Sequence, residues 1–212
     1  DYCSGLVRVD DGGVRIAYDA SIYNQDNDAG YLLFAMAHAC SDPRLSHVRA
    51  ATRRGLQWLY DIQDIDGAWH WGYQRGAQGG YTPYVSSYYA GLGITDIKLI
   101  DAAQSVPCAA LYFYGLHTGD REFVATVKWK FIRGVDALIS NNYDPTNKMF
   151  MSSWQNKPGS GGWQLLDIQY SAGQADVWVG LMAAWMLSGD RKYKTYADDI
   201  RSGFDLAFWS ST

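Results

Sequence analysis

The chain has 212 residues, enough for one sizeable core or two small ones. With 48% hydrophobic and 19% charged residues it belongs with globular rather than disordered chains. The net charge of −4 excludes the basic face that a nucleic-acid partner needs, and no apolar run reaches the roughly 18 residues that span a bilayer.

Cys3, Cys40 and Cys108 offer no metal-ligand spacing, and any disulfide would leave one thiol over, so redox compartment stays open. With no initiator Met and no signal peptide, Asp1 is expected to be a processed or excised start. Localisation is left open, a secreted or periplasmic setting being the one considered. The nine Trp and sixteen Tyr exceed what a helical core needs, and many fall in connecting segments. Core packing accounts for most of them. An aromatic-lined groove is the alternative, because each ring offers an apolar face and several carry a polar tip.

Residues 1–24 read as a β-hairpin segment outside the repeat that follows. Leu6-Val7-Arg8-Val9 and Val14-Arg15-Ile16-Ala17-Tyr18 flank Asp10-Asp11-Gly12-Gly13, where glycine supplies a positive φ. Asn24 to Asp28 offer caps for a helix over Ala29–Cys40 that is apolar nearly all round, as in a buried helix. Asp42-Pro43 opens a more amphipathic helix, with Leu45, Val48, Ala51, Leu56 and Leu59 set among Arg44, Arg49, Arg53 and Arg54. The same contrast recurs. Pro107–Leu116 and Val177–Leu187 are strongly apolar, while Arg121–Leu138 and Arg191–Leu206 carry the charges.

Each pair shares a turn and a downstream glycine: Asp42 with Gly55, Asp120 with Gly134, Asp190 with Gly203. The spacing of the turn residues is about 70 to 80 positions, a repeat that sets the fold class. The expectation is an all-α protein in which residues 25–212 form one domain of about three α-hairpins. Inner helices alternate with outer ones. Long, aromatic-rich connections run over Ile62–Gly80, Tyr81–Ser105 (with one short helix) and Asn141–Tyr170; such loops are usually functional or disordered, and their aromatic content argues for function.

The Ser/Thr-Gly-Asp-x-x-Phe/Tyr turns between paired helices resemble the α/α-toroid, or six-hairpin glycosidase-like, superfamily. Gln63-Asp64-Ile65-Asp66-Gly67-Ala68-Trp69 and Tyr143-Asp144-Pro145 to Trp154 are similar to the aromatic connections such proteins place at one end of the toroid. The resemblance covers roughly residues 25–210 and concerns architecture rather than one activity. It implies a carbohydrate-active protein: a glycoside hydrolase, a polysaccharide lyase or a sugar epimerase, with terpenoid cyclases as more distant relatives. A full toroid has about six hairpins, so three imply a fragment, a shortened open form, or a ring closed by a partner chain or a second copy.

Sixteen positions before each turn residue stand Asp26, Gln104 and Gln174; fourteen before stand Asp28, Val106 and Asp176. In a toroid these inner-helix starts converge, and glycoside hydrolysis requires two carboxylates across the scissile bond. Asp28 and Asp176 are the expected pair, Asp26 the substitute for either, with Gln104 and Gln174 as substrate-binding amides. Asp28 reads more readily as an ordinary helix cap, a reading that explains Asp176 less well. His70 is a further candidate base or sugar ligand, against its reading as a packed, hydrogen-bonded residue. Trp69, Trp71, Tyr73, Trp154 and Trp163 are expected to stack on sugar rings or to seal the hairpin ends. Asp144 and Asn147 resemble a side-chain-stabilised turn. No metal, cofactor or phosphate loop is expected. The leading expectation is hydrolysis of an oligo- or polysaccharide. A non-catalytic binding or assembly module and a lyase using His70, Arg75 and loop tyrosines are the alternatives.

Overall fold

The computed structural model describes residues 2–15, 21–23, 26 and 28–208. The chain opens with α1 (Tyr2–Leu6) and β1 (Ile22–Tyr23), and three α-hairpins follow: α2 (Asp28–Ala39) with α3 (Ser46–Ile62), α5 (Asp101–Thr118) with α6 (Arg121–Asn142), and α7 (Ser171–Ser188) with α8 (Arg191–Phe208). Between them lie β2 (Tyr73–Arg75), β3 (Tyr81–Pro83), the short α4 (Ser87–Gly91), β4 (Asp96–Lys98), β5 (Tyr143–Asp144), β6 (Met149–Phe150), β7 (Ser153–Lys157) and β8 (Gly162–Leu166). The fold is all-α, an open array of hairpins decorated by small antiparallel sheets: β1-β2-β3, β4-β7-β8 and β5-β6.

Each repeated turn does the same physical work. Gly119 and Gly189 end their helices at φ 72° and 77°, a left-handed conformation that glycine adopts without a Cβ penalty. Asp120 then accepts from the Phe123 N–H and Asp190 from the Lys192 N–H, satisfying donors that a helix start leaves orphaned. Asp42 does so for a 3-10 turn, Pro43–Leu45, that precedes α3.

Helix α5 is central. It packs on α2 and α7 to either side and on α6 behind, while α3 and α8 back α2 and α7. Its first ten residues are all buried. The helix begins at Asp101 rather than near Gln104, because the chain turns inward as soon as the Asp101 N–H reaches the Ser152 carbonyl at 2.9 Å. Pro107 is accommodated where Gly30 of α2 gives it room. One contiguous apolar core runs from Val7 to Ile200.

The repeated glycines of the outer helices make space for what lies on them. A Cβ on Gly134 would stand 2.5 Å from the Trp69 ring, one on Gly55 2.5 Å from Leu33, and one on Gly203 2.5 Å from the Asn147 carbonyl. The N-terminal segment shares this arrangement. Gly12 rests on the Arg54 carbonyl as Gly67 rests on the Arg133 carbonyl, and both adopt positive φ. Asp11 accepts from the Gly13 N–H and Asp66 from the Ala68 N–H, each at 3.0 Å. The first 15 residues therefore echo the later connection, although their sequence sets them apart from the repeat. The expected hairpin is narrow here: Val7 and Val14 form a single bridge and Arg15 turns to pair with Tyr23. Leu6 belongs to α1, and Ile16, Ala17 and Tyr18 lie outside the described residues, as do Asn24, Gln25 and Asn27 among the expected caps.

Among the described residues no helix is long and apolar enough to cross a membrane.

Candidate functional site

Helices α2, α5 and α7 lie side by side, and the segments that lead into them line one cavity with Asp26 and several aromatic side chains. Asp26, just before α2, is held at φ 56° with its N–H donating to the Trp71 carbonyl. A non-glycine residue in that region is uncommon, and the surrounding contacts must hold it there. Trp71 is fixed in turn by donating to the Ile97 carbonyl of β4 at 2.8 Å. A cavity of about 230 Å³ opens between these elements, lined by Asp26, Trp71, Tyr89, Tyr170, Ser153 and Gln155 among others. It is smaller than the roughly 300–1,000 Å³ of pockets that enclose drug-sized ligands, a size suited to about one sugar ring.

Four carboxyl groups of this region, Asp26, Asp28, Asp101 and Asp176, are raised above their ordinary range. Asp26 and Asp28 are exposed at the mouth of this region; partial desolvation still pushes the Asp26 carboxyl above its ordinary range, and the charge of Asp28 pushes it further. Asp28 and Asp176 are raised for the same first reason; at Asp176 a hydrogen bond from the Tyr31 hydroxyl opposes the shift. Behind them lies Asp101, only 5% exposed. Burial lifts it to about 7 despite the Ala102 N–H, with Asp26 and Asp176 adding to the rise. Its Oδ2 is buried without a hydrogen-bond partner, tucked where α7 carries Gly173 in place of a bulkier residue. Such perturbed groups beside a cavity mark a functional-site candidate.

The structure brings Asp26 and Trp71 to the cavity and sets Asp28 at the start of α2, but Asp176, expected at a helix start, lies in the second turn of α7, which begins at Ser171. The other expected site residues lie elsewhere. His70 is buried, with Nε2 2.8 Å from Asp64 and Nδ1 2.8 Å from Asp96. Although burial opposes its charge, the two carboxylates raise it to about 9, so it stands as an imidazolium clamped between them. Both ring nitrogens are committed, leaving neither for substrate. Trp69 is fully buried, its indole N–H donating to the Leu59 carbonyl at 2.8 Å, and Tyr73 is buried with its hydroxyl accepting from the His70 N–H. Gln104 and Gln174 are fully buried and spend their amides on backbone.

Trp154 and Trp163 share a sheet face turned away from the cavity. Strand alternation directs Ser153 and Gln155 inward and Trp154 outward, against Ala68, Leu99 and Ala137. Trp163 pairs with Asn156, two positions along the outward face, and lies 4.8 Å from the Lys98 ammonium.

Asp101, Tyr31, Tyr89 and Tyr170 escape the sequence reading. Asp101 stands nineteen positions before its turn residue, where the other copies carry Tyr23 and Ser171, so alignment of the repeats gives it no partner. The signal available was local: an Asp directly after Leu99-Ile100, opening the most buried helix.

A larger cavity of about 380 Å³ lies between α5, α6 and α7, walled by Tyr112, Leu116, Val124 and Met186 with Arg121 and Lys128. It holds no acid–base pair, so chemistry favours the smaller one. Among the described residues no group of three or more His, Cys, Asp or Glu side chains is disposed to hold a metal ion.

No protein-family model and no curated protein matches the chain. Among solved structures it is similar to the endoglucanase CelQ from Clostridium thermocellum in complex with cellotriose, at 14% identity and a TM-score of 0.49. The match covers 89% of this chain and 30% of that one, so the chain spans less than a third of the length of that structure.

Proposed function

We propose that the protein is a carbohydrate-active enzyme that hydrolyses a glycosidic bond, with Asp26 as general acid and Asp176 as general base. The observation that carries this reading is Asp26 itself, held in a strained backbone conformation on the wall of an aromatic cavity. Proximity to Asp28 favours its protonated form, while the Tyr31 hydroxyl favours ionised Asp176. Both carboxyl groups are raised, but a second acid reinforces the rise at Asp26 while a hydrogen bond opposes it at Asp176, and such unequal surroundings are what acid–base division of labour requires. Asp26 donates its proton to the departing glycosidic oxygen. Asp176 takes a proton from water, whose oxygen bonds to the anomeric carbon. The products are a sugar hemiacetal and an alcohol, and the enzyme resets when Asp176 releases its proton to solvent and Asp26 takes one back. Trp71, Tyr89 and Tyr170 supply apolar faces for the ring.

The lyase reading loses support because it needs cations against a uronate carboxylate, and among the described residues no Lys or Arg lines this cavity. An assembly role draws support from a different surface. Trp178 and Met186 are exposed on α7, beside an apolar groove formed with Phe34 and Phe113.

The test is release of reducing ends from a panel of polysaccharides by the wild type, Asp26→Asn and Asp176→Asn. Each substitution is expected to lower turnover about 100- to 10,000-fold with the melting temperature retained. Full activity in both variants would remove the proposal.

A further inference from the structure

A buried polar side chain ordinarily finds a hydrogen-bond partner inside the protein, and one that does not calls for an explanation. Eleven polar or charged side chains are buried among the described residues, and all but three of them bond to protein. The exceptions are Ser152, Ser153 and Gln155, at 7%, 5% and 9% exposure, and none has a side-chain partner among the described residues. All three line the cavity that also holds Asp26 and Trp71.

The contrast is plainest among the buried glutamines. Gln63 holds Arg133 and the Lys130 carbonyl, Gln104 holds the Trp69 loop, and Gln174 holds Phe150. Gln155 faces Ile97 on one neighbouring strand and Gln164 on the other, and Gln164 commits its amide to the Ser160 carbonyl at 2.7 Å. That leaves the Gln155 amide to the cavity. The backbone beneath is fixed, since Ser152 accepts from the Asp101 N–H and donates to the Ile168 carbonyl, each at 2.9 Å, and β7 is paired on both sides. An amide carries a donor and an acceptor side by side, and a serine hydroxyl is both at once. Among the described residues no Lys, Arg or His lines the cavity, so nothing there matches a phosphate or a carboxylate. The complement is a ligand whose neighbouring groups both donate and accept, as the hydroxyls of a neutral sugar do.

We propose that Ser152, Ser153 and Gln155 are the specificity-determining edge of this cavity and seat a neutral, unsubstituted sugar ring by its free hydroxyls. Gln155 takes two adjacent hydroxyls, donating to one and accepting from the other, and the serines take the next. The substrate class rests on the carbohydrate reading of the cavity, but binding by these three side chains does not depend on hydrolysis. A site built to hydrogen-bond a hydroxyl rejects a ligand that lacks it, because its own buried groups are then left unpaired. A uronate in the same place brings a charge that no cation of the cavity meets.

The experiment joins calorimetric binding to thermal melting of the intact chain, wild type and Gln155→Leu, with reducing ends assayed in parallel. The probes are cellotetraose, xylotetraose, mannotetraose and the charged tetragalacturonate. At least one neutral probe is expected to bind at least about tenfold more tightly than tetragalacturonate, with little change between low ionic strength and about 1 M salt. Gln155→Leu keeps the bulk and removes the amide. It should weaken the tightest neutral probe about 10- to 100-fold and raise KM rather than lower kcat. Its melting temperature should hold or rise, because no hydrogen bond within the protein is lost. Gln174→Leu strands the Phe150 backbone and should melt lower, which separates a ligand-binding glutamine from a structural one. Ser153→Ala supplies a second, smaller substitution, with an expected loss of about threefold or more. Undiminished binding by Gln155→Leu and Ser153→Ala, or a preference for tetragalacturonate, would overturn the inference while leaving hydrolysis standing if reducing ends appear. A Gln155→Leu protein that melts lower or fails to fold would assign the amide to the fold and overturn it as well. Binding that needs Gln155, without reducing ends, would uphold the inference and remove the hydrolase reading. No binding of any neutral probe would overturn the inference outright.

Discussion

The Tyr31 hydroxyl of α2 donates to the Asp176 carboxylate of α7, so one hydrogen bond spans the two helices that flank α5. It favours the ionised form of Asp176 against the burial that raises it. Tyr31→Phe removes that bond while keeping the ring. Asp176 then holds its proton to higher pH, and the acidic limb of the rate profile is expected to move toward neutrality with the fold intact. A pH–rate curve for the two proteins decides it, and an unmoved acidic limb would separate Tyr31 from the chemistry.

Asp101 predicts how stability depends on pH in the acidic range. Its ordinary value is 3.8 and its folded value about 7, so the native state keeps a proton that the unfolded chain gives up. Stability therefore falls as pH rises from about 4 to 7, by an amount on the order of 4 kcal/mol if nothing relaxes. Asp101→Asn should flatten that decline and melt higher than wild type at about pH 8. A parallel pH dependence in the two proteins would contradict the assignment.

His70 acts in the next window. With an ordinary value of 6.5 and a folded value of about 9, the imidazolium clamp contributes stability fully below about 6.5 and loses it as pH rises through 9. His70→Gln should be less stable than wild type at pH 6, by on the order of 3 kcal/mol, and should converge with it at alkaline pH. Chemical denaturation at several pH values reads both effects, and a constant difference across pH would show that packing rather than charge is at stake.

Gln104 and Gln174 predict stability rather than binding. Gln104 accepts from the Trp69 N–H at 2.8 Å and donates to the Gly67 carbonyl at 2.7 Å; Gln174 accepts from the Phe150 N–H at 2.8 Å and donates to its carbonyl at 2.7 Å. Alanine at either position strands buried backbone groups and should cost about 1–3 kcal/mol. Because the Trp69 loop leads straight to Trp71, Gln104→Ala should also weaken glycan binding more than Gln174→Ala does. Equal effects on binding would mean that the loop holds its place without the glutamine.

A methyl group on Gly134 tests the repeat itself. Its Cβ would lie 2.5 Å from the Trp69 ring and 3.1 Å from the Gln63 amide nitrogen. Gly134→Ala should destabilise by about 1–3 kcal/mol despite alanine's better helix propensity. A stabilised variant would show that helix α6 can shift away from the loop.

Much of the architecture was legible because it is local. Capping by Asp120 and Asp190, left-handed Gly119 and Gly189, and the apolar run of each inner helix are all dictated within a few residues. That is enough to give three hairpins, their order, and which helix of each is inside. The repeat also pointed to the starts of the inner helices; Asp28 opens α2 and Asp26 precedes it, but Asp176 lies a turn inside α7 because that helix begins at Ser171.

What the sequence by itself could not determine is what each side chain meets. Gln174 and Asp176 are two residues apart on α7, yet one is sealed against Phe150 and the other meets Tyr31, because helical rotation sends them to different neighbours. His70 and Trp71 are adjacent, and the strand-like bridge from His70 to Lys98 turns one toward Asp64 and Asp96 and the other into the cavity. Asp101 looks like any helix-opening carboxylate until α7 brings Gly173 over it and β7 closes the wall in front. Local propensity settles the elements, but desolvation and charge proximity depend on residues far apart in the chain, so only the packed structure sets the chemistry of the site.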